Sequence, residues 1–296
     1  MGGAHLAVTG VRLVEVGATD PRVADYRDLT DMQWRQRMEP AQGLFLAEGE
    51  KVIQRALQAG YRPRSVLLTS RWLAGLSPAL QDHDIEVLLA DEATLRSIVG
   101  FRLHRGALAA FERRAHPPMS DVLASARRLV VLENLVDHTN VGLVFRTAAA
   151  LGVDAILVSP SCADPYYRRS VKTSMGAVLS LPWTIADPWP ATLDSLRRDG
   201  WLLAALTPSE RAVELAAFVR AEGAESKLAL LLGSEGPGLT AEAAQRCTVA
   251  LRIPVTDRVD SLNVAAAAAI ACYELAQVSR SPNSPVGKCG TRTGRS

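Results

Sequence analysis

Apolar residues arrive along this chain in short uninterrupted runs, separated by stretches with helical periodicity. Residues 44–49 predict a strand and turn. Residues 50–59 predict a helix whose Val52, Ile53, Ala56 and Leu57 form one apolar stripe, closed by Gly60. Strands follow at 65–69, 86–90 and 106–111, with short helices at 79–83 and 91–98, the second capped by Asp91. Upstream, residues 1–17 alternate weakly as a strand or arm. Residues 20–38 read as a solvated surface helix opening on Asp20-Pro21. This first α/β unit ends at Arg113-Arg114-Ala115-His116-Pro117-Pro118, where two prolines after a basic pair suggest a linker.

In the second unit, strands at 129–132, 155–159, 201–206, 228–232 and 249–253 alternate with helices at 140–151, 170–179, 192–198, 240–246 and 261–277. That alternation predicts a parallel sheet covered on both faces. Beyond residue 279 the chain is rich in Ser, Pro, Gly and Arg without apolar periodicity, and a disordered basic tail is expected over 280–296. The expected organisation is therefore 1–117, 118–279 and the tail.

Composition narrows the class. The chain has 296 residues, 48% apolar and 22% charged, as a globular protein with a full core requires. No apolar run has membrane-spanning length and no signal-type segment opens the chain, so a cytoplasmic protein is expected. Cys162, Cys247, Cys272 and Cys289 form no CxxC pair, which suggests neither zinc nor a disulfide framework. The net charge of +2 gives no strong field toward nucleic acid. Only four of 33 basic residues are lysine. Arginine suits planar phosphate recognition, although a GC-rich genome explains the same bias.

The chemistry concentrates in three stretches. Residues 228–239, Leu-Ala-Leu-Leu-Leu-Gly-Ser-Glu-Gly-Pro-Gly-Leu, run from a buried strand into a glycine turn, where α/β proteins place ligands. The glycine order matches neither a dinucleotide fingerprint nor a Walker loop, and Glu235 would repel a pyrophosphate. Residues 140–152 form a helix apolar on every side except Arg146 and Thr147. An arginine there needs a salt bridge, to Glu133 or Asp137, or an anion in a cleft. At 253–263, Asp260, Ser261 and Asn263 precede a small-residue helix and either cap it or belong to a site.

In this order the three stretches resemble the SpoU (TrmH-like) family of RNA ribose 2′-O-methyltransferases in the SPOUT superfamily. Asn-x-Gly-x-x-x-Arg-Thr-Ala matches Asn140 to Ala148, strand-Gly-x-Glu-Gly-x-Gly matches Leu230 to Gly238, and Ile-Pro with Ser-Leu-Asn-Val matches Ile253-Pro254 and Ser261 to Val264. Asp164-Pro-Tyr166, Lys172 to Gly176 and Phe45 to Gly49 are also similar. One departure is Asp137-His138-Thr139, where the family commonly has a proline; it affects a turn.

The resemblance implies a parallel sheet with a C-terminal trefoil knot, preceded by a small α/β RNA-binding domain. It implies S-adenosylmethionine held by Thr207, Gly233, Glu235, Gly236, Ile253, Ser261, Leu262 and Asn263, and a catalytic set of Arg146, Asn140, Glu235 and Asn263. Arg146 would act on the ribose hydroxyl, as base or as an orienter paired with a phosphate. Arg168, Arg169, Lys172, Arg102 and Arg105 (with His104 beside it) are the expected RNA contacts. The family also implies a homodimer, for which the small-residue face from Val264 to Ala271 is one candidate surface and burial within the subunit the other. Ribosomal RNA is the expected substrate, with tRNA as the alternative. The competing functional readings are a non-catalytic RNA-binding assembly factor and a nucleotide-dependent oxidoreductase.

Overall fold

The computed structural model describes residues 7–8, 11–103, 106–222 and 227–279; the expected tail at 280–296, together with His104 and Arg105, lies outside them. Two sheets divide the described residues. The first contains β1 (Ala7–Val8), β2 (Val11–Glu15), β3 (Leu44–Glu48), β4 (Pro63–Leu68), β5 (Glu86–Leu89) and β6 (Ala107–Glu112), in the order β1-β2-β5-β4-β6-β3. Its pairings are mixed, with β2-β5 and β4-β5 parallel and the rest antiparallel. Helices α1 (Met32–Ala41), α2 (Glu50–Gln58), α3 (Leu73–Leu80) and α4 (Glu92–Val99) cover it.

The second sheet is parallel throughout, as the strand-helix alternation predicts. It contains β7 (Arg128–Leu132), β8 (Ala155–Val158), β9 (Trp183–Ile185), β10 (Trp201–Leu206), β11 (Val213–Glu214), β12 (Lys227–Leu232) and β13 (Val249–Arg252), in the order β11-β13-β10-β12-β7-β8-β9. Around it lie α5 (Met119–Leu123), α6 (His138–Ala150), α7 (Arg168–Thr173), α8 (Thr192–Arg198), α9 (Leu215–Glu222), α10 (Ala241–Arg246) and α11 (Val264–Ser279). Every residue of β8, and all of β12 after Lys227, is buried, because a strand with helices on both faces has no solvated side. No helix of the described residues is long and apolar enough to cross a membrane.

Several local expectations need correction. Residues 20–38 are not one surface helix: a 3₁₀ turn, Pro21–Tyr26, is followed by α1. Asp28 adopts φ 55° between them, and Asp31 starts the new helix by accepting from Trp34 N–H. Arg35 and Glu39 on α1 are both 1% exposed and ion-paired at 2.7 Å, so this helix has a buried charged side rather than a solvated one. Burial pushes the Glu39 carboxyl up, against the pull of Arg35. The helix expected at 170–179 breaks at Met175 and Gly176, which take φ 54° and 83°. The short helix expected at 79–83 ends at Leu80 and begins six residues earlier than expected, at Leu73.

Residues 113–118 are not a loose linker either. Arg113 donates to Leu44 O at 2.6 Å and to Asp164 Oδ2 at 2.6 Å, and its guanidinium lies over Tyr166. Arg114 lies over Tyr61, and the His116 ring stands 4.7 Å from Trp183. The sheets therefore meet through an aromatic joint. Phe45 stacks on Phe111 and Tyr166, and the hydroxyls of Tyr61 and Tyr166 are 2.9 Å apart. One hydrophobic cluster runs through both sheets, from Val11 and Phe45 to Trp183 and Leu275.

Candidate active site at the carboxyl edge of the parallel sheet

Strands β13, β10, β12 and β7 are adjacent and parallel, so the loops that follow them open on one edge. A cavity of about 500 Å³ lies there, lined by Thr207 after β10, Gly233 to Gly236 and Gly238 after β12, Ile253 after β13, and Ser261 to Asn263 before α11. Every residue expected to hold the methyl donor lines it. Sequence reasoning missed Pro208, which lines it too; nothing distinguishes that side chain until the loops are folded.

The glycine turn is closed by reciprocal backbone bonds, Ser234 N–H to Gly238 O and Gly238 N–H to Ser234 O, at 3.2 and 3.0 Å. Gly233 lies flat against the returning strand: a Cβ there would sit 2.2 Å from Gly238 C and Leu239 N, both backbone atoms. The residue type is thus set by close approach of two chain segments.

Glu235 reaches back from this turn to α6 and α11. Its Oε1 accepts from Asn140 Nδ2 at 2.8 Å and from Asn263 Nδ2 at 2.7 Å, and Asn263 Nδ2 also lies 3.2 Å from Asn140 Oδ1. Asn263 Oδ1 meanwhile accepts from Ala265 N–H at 2.8 Å, so capping and site membership are both true of this residue. Ser261 lines the cavity, and the helix expected to start there starts at Val264. Asn140 is placed by Asp137, whose carboxylate accepts from the Thr139 and Asn140 N–H groups and caps α6. Gly142, two residues on, lets α7 approach: a Cβ would fall 2.0 Å from Thr173 Oγ1 and 2.6 Å from Ser170 O.

Glu133 has another role than partnering Arg146. It is fully buried, takes the indole N–H of Trp189 at 2.8 Å, and takes the N–H and hydroxyl of Thr240 at 2.8 and 2.7 Å. It fixes the far end of the glycine turn. A carboxylate directly after the apolar run Val130-Val131-Leu132 was the available signal. Arg146 is exposed with Ala149 and Ala150, so α6 is not covered on every side. Among the described residues Arg146 makes no ion pair with Glu133 or Asp137, and it is not part of the Asn140–Glu235–Asn263 cluster or the cavity wall.

Of the expected RNA contacts, Arg168 and Lys172 bind the buried carboxylate of Glu48 across the junction, at 2.6 and 2.5 Å. Arg169 and Arg102 are exposed. Among the described residues no cluster of His, Cys, Asp and Glu could hold a metal ion.

A parallel α/β sheet with a cavity at its carboxyl edge, lined by a glycine turn and by the carboxylates Glu235 and Asp260, is the arrangement of a small-molecule-binding α/β protein rather than of a phosphate-loop one. Residues 127–273 match the SpoU rRNA Methylase family. The chain is 42% identical over 255 residues to an uncharacterized tRNA/rRNA methyltransferase of Mycobacterium bovis, covering 86% of this chain and 88% of that one. It is 24% identical to the 23S rRNA (guanosine(2553)-2'-O)-methyltransferase of Bacillus subtilis, covering 87% and 97%. The AdoMet-bound rRNA methyltransferase of Sinorhizobium meliloti superposes with a TM-score of 0.77 at 26% identity, covering 91% and 99%. The chain belongs to the SpoU family of RNA methyltransferases.

Proposed function

We propose that the protein transfers a methyl group from S-adenosylmethionine to a ribose 2′-hydroxyl of RNA, with ribosomal RNA as substrate. The observation that carries this reading is the cavity itself, whose glycine turn, Ile253 and Ser261–Asn263 walls converge on Glu235. Its size suits a nucleoside-sized ligand, and backbone walls at Gly233, Ile253 and Leu262 favour recognition of an adenine edge by peptide groups. Bound S-adenosylmethionine supplies an electrophilic methyl on a sulfonium cation. Glu235 offers that cation a carboxylate, which a phosphate ligand would not tolerate. Asn140 and Asn263 hold Glu235 in one orientation, so positioning is built in before the acceptor arrives.

Arg146 stays protonated near neutrality, since a guanidinium titrates above about 12. Its role in this reading is to bind the phosphate beside the acceptor ribose and orient the hydroxyl. It is exposed and has no ion pair among the described residues, which is consistent with that. Arg169 and Arg102 extend the phosphate path; Arg168 and Lys172, committed to Glu48, shape the junction instead. In this reading the chain divides at 117/118, and the N-terminal half is assigned to RNA binding. A trefoil knot around residues 233–238 and 253–262 and a homodimer complete the reading. The small-residue face of α11, with Val264, Ala265, Ala268 and Ala271, is buried within the subunit, and the opposite side, with Ile270 and Tyr273 exposed at 40% and 53%, is the surface left for a dimer.

Two measurements test this. Calorimetry with S-adenosylmethionine is expected to give one site per chain; no binding removes the reading and leaves an RNA-binding assembly factor. Mapping of 2′-O-methyl groups in RNA from cells with and without the protein is expected to show one lost ribosomal site. A lost tRNA site would reassign the substrate, and a lost base methylation would reassign the chemistry.

A further inference from the structure

We propose that a cleft in the N-terminal half, remote in sequence from the methyl-donor cavity, binds one unpaired ribonucleotide of the substrate. This rests on the reading that the substrate is RNA. The cleft holds about 360 Å³ and lies between the end of β4, the turn Ser70–Trp72, α4 and the start of β6. A volume of that order accommodates a single nucleotide and excludes a duplex.

Two donors on its wall have no partner among the described residues. The Thr69 side chain is 7% exposed, precedes a 3₁₀ turn without capping it, and leaves Oγ1 without a hydrogen bond. Trp72 Nε1, an obligate donor, is likewise unpaired. Both lie close to Gly106, where a Cβ would fall 2.4 Å from Trp72 Nε1 and 3.1 Å from Thr69 Oγ1, so only glycine leaves the two donors uncovered. Leaving two such groups buried and unpaired is unfavourable, so a ligand bearing acceptors is stabilised there.

The charged residues specify the rest of the ligand. Arg71, Arg96 and Arg102 line the cleft against a single carboxylate, Glu92, which sits 3.9 Å from Arg71. Among the described residues Arg96 and Arg102 have no ion pair. The Arg71 guanidinium lies 5.0 Å above the Trp72 ring and makes a ready stacking surface. An unpaired base can present ring-nitrogen or carbonyl acceptors to Thr69 and Trp72, with its phosphate on Arg96 and Arg102. Bases inside a duplex present no free face, so the cleft selects an unpaired nucleotide.

The cleft is also mechanically joined to the reaction site. Phe101, preceding Arg102, lies 5.1 Å beneath the Arg168 guanidinium of α7, and α7 seats against α6 at Gly142, beside Asn140.

The test is fluorescence anisotropy of labelled single-stranded oligouridylate and oligoadenylate with the full chain, wild type and Thr69→Val, Trp72→Phe and Arg102→Ala. Thr69→Val and Trp72→Phe each remove one donor and keep the shape, and are expected to weaken binding about two- to tenfold. Arg102→Ala is expected to weaken binding and flatten its salt dependence by about one unit of slope. All three keep wild-type S-adenosylmethionine affinity by calorimetry, which also reports that they fold. Duplex RNA of the same composition competes poorly. Wild-type affinity in all three variants, or equal competition by duplex, overturns the proposal. Failure of wild type to bind S-adenosylmethionine overturns the methyl-transfer reading instead and leaves the oligonucleotide result to stand alone.

Discussion

Asn263 Nδ2 lies 2.7 Å from Glu235 Oε1, while the same side chain's Oδ1 holds Ala265 N–H at 2.8 Å. One amide thus starts α11 and tethers the glycine turn, and the two duties separate by substitution. Asn263→Asp keeps the cap and sets two carboxylates against each other. It is expected to lower turnover at least about tenfold with little change in melting temperature. Asn263→Ala loses both, and thermal unfolding should show a further loss of about 1 kcal/mol. Equal activity of the Asn263→Asp variant and the wild type would break the assignment of Asn263 to the site.

Gly233→Ala drives a methyl group into backbone at 2.2 Å, which no rotamer can relieve. A destabilisation of about 1–3 kcal/mol is expected from such overpacking, together with loss of donor binding in calorimetry. An unchanged donor affinity would show that the turn tolerates displacement.

Glu133 is a structural brace with three donors on one buried carboxylate. Glu133→Ala leaves Trp189 Nε1 and Thr240 N–H unpaired and is expected to cost about 3 kcal/mol or more in denaturant unfolding. Glu133→Gln keeps the shape and loses less. A change in activity with no change in stability would contradict the bracing role.

Burial holds His116 and His138 below their ordinary value of 6.5, despite the nearby Asp164 carboxylate. The unfolded chain therefore takes up these protons first as pH falls. Their contribution to stability is complete above about pH 6.5 and is lost progressively as pH drops below it. Melting temperature is expected to fall between about pH 7 and 5, with a shallower fall in His138→Gln. A slope identical in wild type and variant would remove His138 from the account.

Glu48 is 3% exposed and holds both Arg168 and Lys172. Removing the carboxylate leaves the largely buried Arg168 guanidinium without its partner while the half-exposed Lys172 stays hydrated, so Glu48→Ala should destabilise by about 1–3 kcal/mol. Lys172→Ala should leave the salt dependence of RNA binding nearly intact, whereas Arg169→Ala should lower its slope by about one phosphate. The opposite ranking would return Lys172 to the RNA surface.

The sheet and the site were legible to different degrees for identifiable reasons. The strands of the second sheet could be read because burial on both faces leaves continuous apolar runs, as in β12. The residues that line the cavity were expected from the resemblance to SpoU sequences, which rests on glycines, a proline and an asparagine at fixed places. The burial of Arg35–Glu39, an i,i+4 pair within α1, and the pairing of Glu48 with Arg168 across the junction could not be read, because charges buried by neighbouring segments look in sequence like charges facing water. Strand β9 and helix α5 were missed for their brevity: Trp183–Ile185 and Met119–Leu123 are too short to establish a period. Arg113 to His116 misled in the other direction, since a basic pair before two prolines has the composition of a linker whatever it touches.

The aromatic joint of Phe45, Tyr61, Phe111, Tyr166 and Trp183 has a consequence for how such a protein can change its target. A half exchanged for another would need matching rings at Tyr61 and Tyr166 and a carboxylate for Arg168, or leave a hydrophobic wound on both pieces. Modular shuffling is thereby discouraged. New specificity has to be written by substitution on the outer surface, one side chain at a time, while the distance between grip and chemistry is inherited unchanged.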